Sequence, residues 1–187
     1  MSHGWRPPIN SCDYDLSGEI LRWVLGPGNI RPRDPTASPV VPANLFTLNQ
    51  TRFLPPGWTP ATALVDPTGF IYIPERCQSR GVAAGGGDPD RGEPRFSASC
   101  GIHVHYHPCG GSWRVVSLAY MLQNALPAYA EANDIVILFP QSAAGNGNPV
   151  GGGCFDWYGA THPAFDTRDG VQINMVLAML RGLRSGP

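Results

Sequence analysis

Apolar and polar positions alternate through residues 100–109, CGIHVHYHPC, where Ile102, Val104 and Tyr106 interleave with His103, His105 and His107. That period of two predicts a β-strand over 102–107 that runs into a Gly-rich turn. A continuous apolar run, IVILF at 135–139, predicts a strand buried on both faces, as in a parallel sheet. FIYI at 70–73, bounded by Gly69 and Pro74, predicts another. A short strand is expected around residues 44–48. Helical spacing appears three times. Over 13–26, Asp13 or Asp15 caps a helix with Leu16, Ile20, Leu21, Trp23 and Val24 on one broad face, and Gly26-Pro27-Gly28 ends it. Over 115–132, Leu118, Met121, Leu122, Ala125, Leu126 and Tyr129 recur at helical intervals, and Pro127 is expected to bend or split the helix. Over 170–183, Val171, Met175, Leu177, Ala178 and Met179 are its apolar positions. Between these lie a Pro-rich stretch at 27–68 that reads mostly as loop, a Gly/Arg/Asp-rich surface loop at 78–99, and a long loop at 142–158 containing GNGNPVGGG. Strand, helix, strand, helix from residue 69 onward predicts one α/β domain over 1–187, with a mostly parallel sheet and flanking helices.

Composition narrows the picture. Apolar residues make up 42% and charged residues 14%, which suits a globular chain with a packed core. The net charge of −1 supplies no electrostatic footprint for nucleic acid or an anionic membrane. All thirteen basic residues are arginine. Gly (23) and Pro (20) together exceed a fifth of the chain, so long ordered loops are expected. MSHGWRPPIN lacks the apolar core of a signal peptide, and no run of about 18 apolar residues is present to span a bilayer. Five cysteines and the sequon Asn49-Gln50-Thr51 nonetheless suit a secreted protein. The odd cysteine count leaves one thiol without a partner.

Two chemistries compete for the histidine strand. His103, His105 and His107 lie at i, i+2 and i+4 on one strand face, and paired His-x-His strands bind zinc. No carboxylate or cysteine nearby completes a familiar zinc signature, so metal binding is the lesser alternative. The other is a loop site, in which the strand delivers histidines and free backbone N–H groups to its own C-terminal end, as many α/β enzymes present one.

The second reading takes its chemistry from a resemblance. The segments INSCDYDLSGEILRWVLG (9–26), GFIYIPERC (69–77), CGIHVHYHPC (100–109), ANDIVILFPQ (132–141) and NPVGGGCFDWYG (148–159) resemble, in order and spacing, the polyhydroxybutyrate depolymerases with a circularly permuted α/β-hydrolase catalytic domain. The resemblance implies a secreted carboxylic-ester hydrolase acting on a polyester or its oligomers, with no cofactor. It also implies that the chain corresponds to the C-terminal part only. In that family a serine in a Gly-x-Ser-x-Gly elbow, an acid and a histidine all precede the segment matched by SCDYD. No Gly-x-Ser-x-Gly occurs here; Gly110-Gly111-Ser112-Trp113-Arg114 lacks the final glycine and follows the wrong strand. His3 lies too close to Cys12 to match the family's histidine.

The resemblance carries over specific roles. The N–H of Cys109 matches the family's oxyanion donor, with Pro108 where a glycine is usual; proline removes one N–H and stiffens the turn. Phe155, Trp157 and Tyr158 match an aromatic block that lines the polyester subsite, Phe155 standing where the family has tryptophan. Cys77 with Cys100 and Cys109 with Cys154 match two disulfides, and Cys12 is left with its partner outside the chain. A catalytically silent ester- or polymer-binding remnant is the alternative reading. With the nucleophile strand absent, strand 135–139 is expected to have one open edge, and the isolated chain is expected to self-associate there unless a missing N-terminal half covers it.

Overall fold

The computed structural model describes residues 13–34, 36, 40–78, 93–143, 148 and 153–184. Four strands form one sheet in the order β1-β2-β4-β3: β1 Leu45–Asn49, β2 Thr68–Tyr72, β3 Gly101–Val104 and β4 Ile135–Phe139. β3 and β4 are parallel, with Gly101 opposite Ile135. β1–β2 and β2–β4 are antiparallel, with Asn49 opposite Thr68 and Phe70 opposite Phe139. The sheet is therefore mixed, not mostly parallel. The fully apolar β4 owes its burial to a central place with helices on both faces, a position that antiparallel neighbours fill equally well.

That placement also corrects the expected open edge. β4 is paired on both sides, by β2 and β3. The edge beyond β4 belongs to β3, whose residues are half-buried or exposed while every residue of β4 is buried.

Alternation along the strands sorts side chains into two cores. Phe46, Leu48, Ile71, Val136 and Leu138 face α6 (Val171–Gly182), meeting Val171, Met175, Val176 and Met179. Phe70, Tyr72, Ile135, Ile137 and Phe139 face the opposite layer, meeting Leu21, Met121, Leu126 and Tyr129. That layer is built from α1 (Leu16–Leu25), α4 (Ala119–Gln123) and α5 (Leu126–Asn133). The result is a helix–sheet–helix sandwich.

Several local expectations change for identifiable reasons. The helix expected over 115–132 is three: α3 (Trp113–Val116), α4 and α5. Ser117 has φ +58° and Asn124 is extended, so each interrupts the helical hydrogen bonding. Pro127 sits in the first turn of α5, where its missing N–H costs nothing, so it starts a helix instead of bending one. The Pro-rich stretch is more ordered than a loop: it holds β1, 3-10 turns at Pro42–Asn44 and Gln50–Phe53, and the short α2 (Pro60–Ala63) under a Thr59–Thr62 capping box.

α1 is capped by Asp15, whose carboxylate accepts from Gly18 N–H at 3.1 Å. The face it buries is not the broad apolar one. Gly18 and Leu21 pack inward, whereas Leu16, Ile20, Trp23 and Val24 are exposed. A Cβ on Gly18 would lie 2.2 Å from Tyr129 Oη, so the missing side chain selects the docking face. The structure thus turns the strongest apolar stripe of α1 outward. Most of the 78–99 and GNGNPVGGG loops, together with His3 and Cys12, lie outside the described residues.

Candidate functional site: a disulfide-tied turn at the end of the parallel strands

β3 and β4 run parallel, so their C-terminal ends meet at one rim of the sheet. The last ladder bond there is His105 N–H to the Leu138 carbonyl, 2.8 Å. Beyond it the chains part, because Pro140 has no N–H to extend the pairing. β3 therefore ends at Val104, and the expected strand to 107 is too long. Residues 105–112 instead form the loop that crosses the rim.

His107 anchors this loop from below. It is 5% exposed. Its Nδ1 lies 2.9 Å from the Pro108 carbonyl and its Nε2 3.1 Å from the Ser142 backbone N. A carbonyl only accepts and a backbone N–H only donates. The ring must therefore carry its proton on Nδ1 and leave Nε2 as acceptor. Burial lowers its pKa, which favours this neutral form, although the Pro108 carbonyl pulls the other way. Both ring nitrogens are consumed. With β3 ended and His107 turned inward, the three-histidine metal alternative is not assembled. Among the described residues no group of three or more His, Cys, Asp or Glu is placed to hold a metal. His103 and His105 stay at the edge, with ring centroids 6.1 Å apart, and His105 Nε2 meets Tyr120 Oη at 3.1 Å.

Past His107 the backbone makes a tight turn. Gly111 N–H donates to the Pro108 carbonyl at 2.8 Å, and the third residue, Gly110, has φ +76°, the glycine-favouring geometry of a type II turn. A side chain on Gly111 would meet the Pro108 ring at 2.8 Å. Gly110 N–H is taken by the Gly153 carbonyl at 3.2 Å. Pro108 has no N–H. Cys109 is exposed, and its N–H has no partner among the described residues. The turn thus leaves one free backbone donor at its tip, and Pro108 is accommodated in it.

The far side of the site is the 153–161 loop. Disulfides join Cys109 to Cys154, with Cα atoms 4.4 Å apart, and Cys77 to Cys100, 5.9 Å apart. Phe155 then packs against both Tyr106 and His107, each at a ring-centroid distance of 4.9 Å. Asp156 organises the rest of the loop. Its carboxylate accepts from the N–H groups of Tyr158, Gly159, Ala160 and Thr161 and from the Thr161 hydroxyl. Burial alone would raise its pKa; those donors outweigh burial and hold it below the ordinary carboxylate value. Its own N–H donates to Gln172 of α6, whose amide reaches the Ala63 carbonyl. Trp157 and Tyr158 are carried on this stiff loop with their rings 5.2 Å apart, 64% and 43% exposed. Phe155 is thus brought to the Cys109 turn, while Trp157 and Tyr158 face solvent on the same loop.

A buried polar network holds the turn to the sheet. Gln141 Oε1 accepts from Trp113 N–H at 2.9 Å, fixing the start of α3 just after the turn. Gln50, fully buried, donates to the Asp66 and Gln141 carbonyls and accepts from Gln141 N–H. Asp66, buried, pairs with Arg114 of α3. Ser142, Gln141, Gln50, Asp66 and Asp156 were not legible as site residues in the sequence, and His107 was legible only as a metal ligand, not as an anchor. The available signals were faint: the Pro-Gln ending of an apolar strand and an Asp beginning an Asp-Trp-Tyr-Gly turn.

No family model matches the chain. It is 27% identical over 180 residues to the poly(3-hydroxybutyrate) depolymerase of Delftia acidovorans, a match covering 96% of this chain and 31% of that protein. It is 25% identical over 189 residues to the polyhydroxybutyrate depolymerase of Talaromyces funiculosus, covering 96% of this chain and 48% of that one. Among solved structures, the PHB depolymerase of Penicillium funiculosum superposes with a TM-score of 0.69 at 21% identity, over 95% of this chain and 50% of that one. A PHB depolymerase complexed with an R3HB trimer gives the same TM-score at 20% identity, over 96% of this chain and 51% of that one. The chain spans about a third to a half of the length of these proteins. It resembles the polyhydroxybutyrate depolymerases across almost all of its own sequence, and it has the fold of part of such an α/β-hydrolase-type protein.

Proposed function

We propose that this chain provides the oxyanion-donor and aromatic-subsite portion of an extracellular carboxylic-ester hydrolase acting on poly(3-hydroxybutyrate) or its oligomers. The observation that carries the proposal is the unpaired Cys109 N–H, held on a rigid turn and tied by Cys109–Cys154 to a loop of exposed aromatics. A tetrahedral intermediate places negative charge on the former carbonyl oxygen, and a fixed backbone donor stabilises that charge without reorganising. Removing one such donor costs about 100- to 1000-fold in rate. Trp157 and Tyr158 offer flat apolar faces to the methyl-bearing polyester backbone. Two disulfides fit an oxidising compartment. The nucleophile, its base and its acid come from outside these 187 residues in this reading. The sequence holds no Gly-x-Ser-x-Gly elbow, and the relatives are two to three times longer.

The test separates binding from turnover. An (R)-3-hydroxybutyrate trimer is titrated into the chain and its binding heat followed by isothermal titration calorimetry. Saturable binding is expected, weakened about tenfold in Trp157→Ala, the loss of one large apolar contact. The chain alone is expected to release no p-nitrophenol from p-nitrophenyl butyrate in a phosphonate-sensitive way. Absence of trimer binding would overturn the subsite. Turnover blocked by a serine-directed phosphonate would overturn the assignment of the nucleophile to another segment. The exposed Trp157–Tyr158 pair also favours the second reading, a non-catalytic polymer binder. That reading prevails if the trimer binds but adding the remaining portion of a depolymerase relative restores no hydrolysis.

A further inference from the structure

The ester-site reading gives no part to Asn49 or Thr51 of the Asn49-Gln50-Thr51 motif, and the structure gives that motif a definite geometry. Asn49 ends β1, an edge strand paired only with β2 among the described residues. Its carboxamide Oδ1 accepts from Thr51 N–H at 3.0 Å and from the Thr51 hydroxyl at 2.6 Å, an Asx turn closed within three residues. Asn49 is exposed, and its Nδ2 donates to no group among the described residues. The middle residue points the other way: Gln50 is fully buried and held by the Asp66 and Gln141 carbonyls. The backbone is pinned besides by Asn49 N–H to Glu93 Oε2 at 3.2 Å. Neither Gln50 nor the following Arg52 is proline, and no second Asn-x-Ser/Thr occurs in the 187 residues.

We propose that Asn49 is an N-glycosylation acceptor, taking an oligosaccharide from a lipid-linked oligosaccharyl diphosphate. In the step, Nδ2 forms a bond to the anomeric carbon and loses one proton to the transferase. The bond between that carbon and the phosphate oxygen breaks, and the lipid diphosphate leaves with the electron pair. Two structural features support the assignment. The contact that orients the carboxamide is purely local, so it is available to a nascent chain before any tertiary structure exists. The folded state then keeps Nδ2 in solvent, so the sugar displaces no packed group. The glycan stands at the end of a strand edge that is unpaired among the described residues, a place where bulk hinders edge-to-edge association.

The full chain is expressed behind a signal peptide in yeast. Glycosylation is read by mass and by gel mobility on both medium and cell lysate, so a variant that is not secreted still reports. Peptide N-glycosidase F in heavy-oxygen water is expected to remove the added mass and to convert Asn49 to labelled aspartate. Asn49→Gln and Thr51→Ala are expected to abolish the shift, and Thr51→Ser to retain it. An unmodified Asn49, in cells that glycosylate a control protein, would overturn the proposal. So would a shift that persists in Asn49→Gln.

Discussion

Mild acid should loosen this domain before its carboxylates titrate. His105 is half-buried at the rim, with Tyr120 Oη 3.1 Å from its Nε2 and the Phe139 ring edge-on at 5.7 Å. Burial first, then the neighbouring His103 and His107, push its pKa down from 6.5 to about 4. An unfolded chain binds that proton near pH 6.5, the folded one only near 4. Between those values the unfolded state holds more protons, so stability falls as pH falls. The slope is about 1.4 kcal/mol per pH unit for one proton, which over the window gives about 3.5 kcal/mol as an upper bound. Water reaching the half-buried ring reduces that to roughly 2 kcal/mol. His103 and His107 are lowered in the same direction and add to the slope. Asp15 and Asp156 also have lowered pKa values; their stabilisation is lost only as pH drops below the ordinary 3.8. The two effects therefore separate along the pH axis. Urea unfolding at half-unit steps from pH 7.5 to 4 measures the slope, and imidazole NMR assigns it. His105→Phe keeps a ring against Phe139 and should reduce the slope between pH 7 and 5, leaving the part due to His103 and His107. A midpoint independent of pH over that range, or a His105 signal titrating near 6.5, would refute the reasoning.

Two further perturbations have outcomes set by the geometry. Replacing both Cys109 and Cys154 by serine opens a 45-residue loop, and the chain-entropy relation then gives a loss of about 4 kcal/mol, checked by urea denaturation against the parent under non-reducing conditions. Gln50→Ala strands the buried Asp66 and Gln141 carbonyls and the Gln141 N–H, with an expected cost of about 3 kcal/mol and faster hydrogen exchange at Gln141, read by differential scanning calorimetry and amide exchange.

The elements with a strong local signature were readable from sequence alone. IVILF is a continuous, β-branched-rich apolar run of strand length, and β4 occupies those five residues; the 170–183 pattern placed α6 within a residue at each end. Asp15 and Gly26 bracket α1 by cap chemistry that needs no tertiary partner. The candidate donor Cys109 and the aromatics Phe155, Trp157 and Tyr158 came from a resemblance carried by short motifs, as did the disulfide pairing. Sheet order was not readable. Whether β4 pairs with β2 on one side and β3 on the other depends on which distant segments meet, and periodicity within a strand says nothing of its neighbours. The same limit hid the buried face of α1, because an apolar stripe marks what favours burial, while the space left by Gly18 against Tyr129 decides what is buried. It hid the anchoring role of His107 as well. Alternation placed all three histidines on one strand face, but β3 ends at Val104, and only the packed rim turns His107 inward onto Ser142 and Pro108. Local propensity and pattern are properties of neighbouring residues in the chain; pairing, docking face and proton placement are set by groups that meet only after folding.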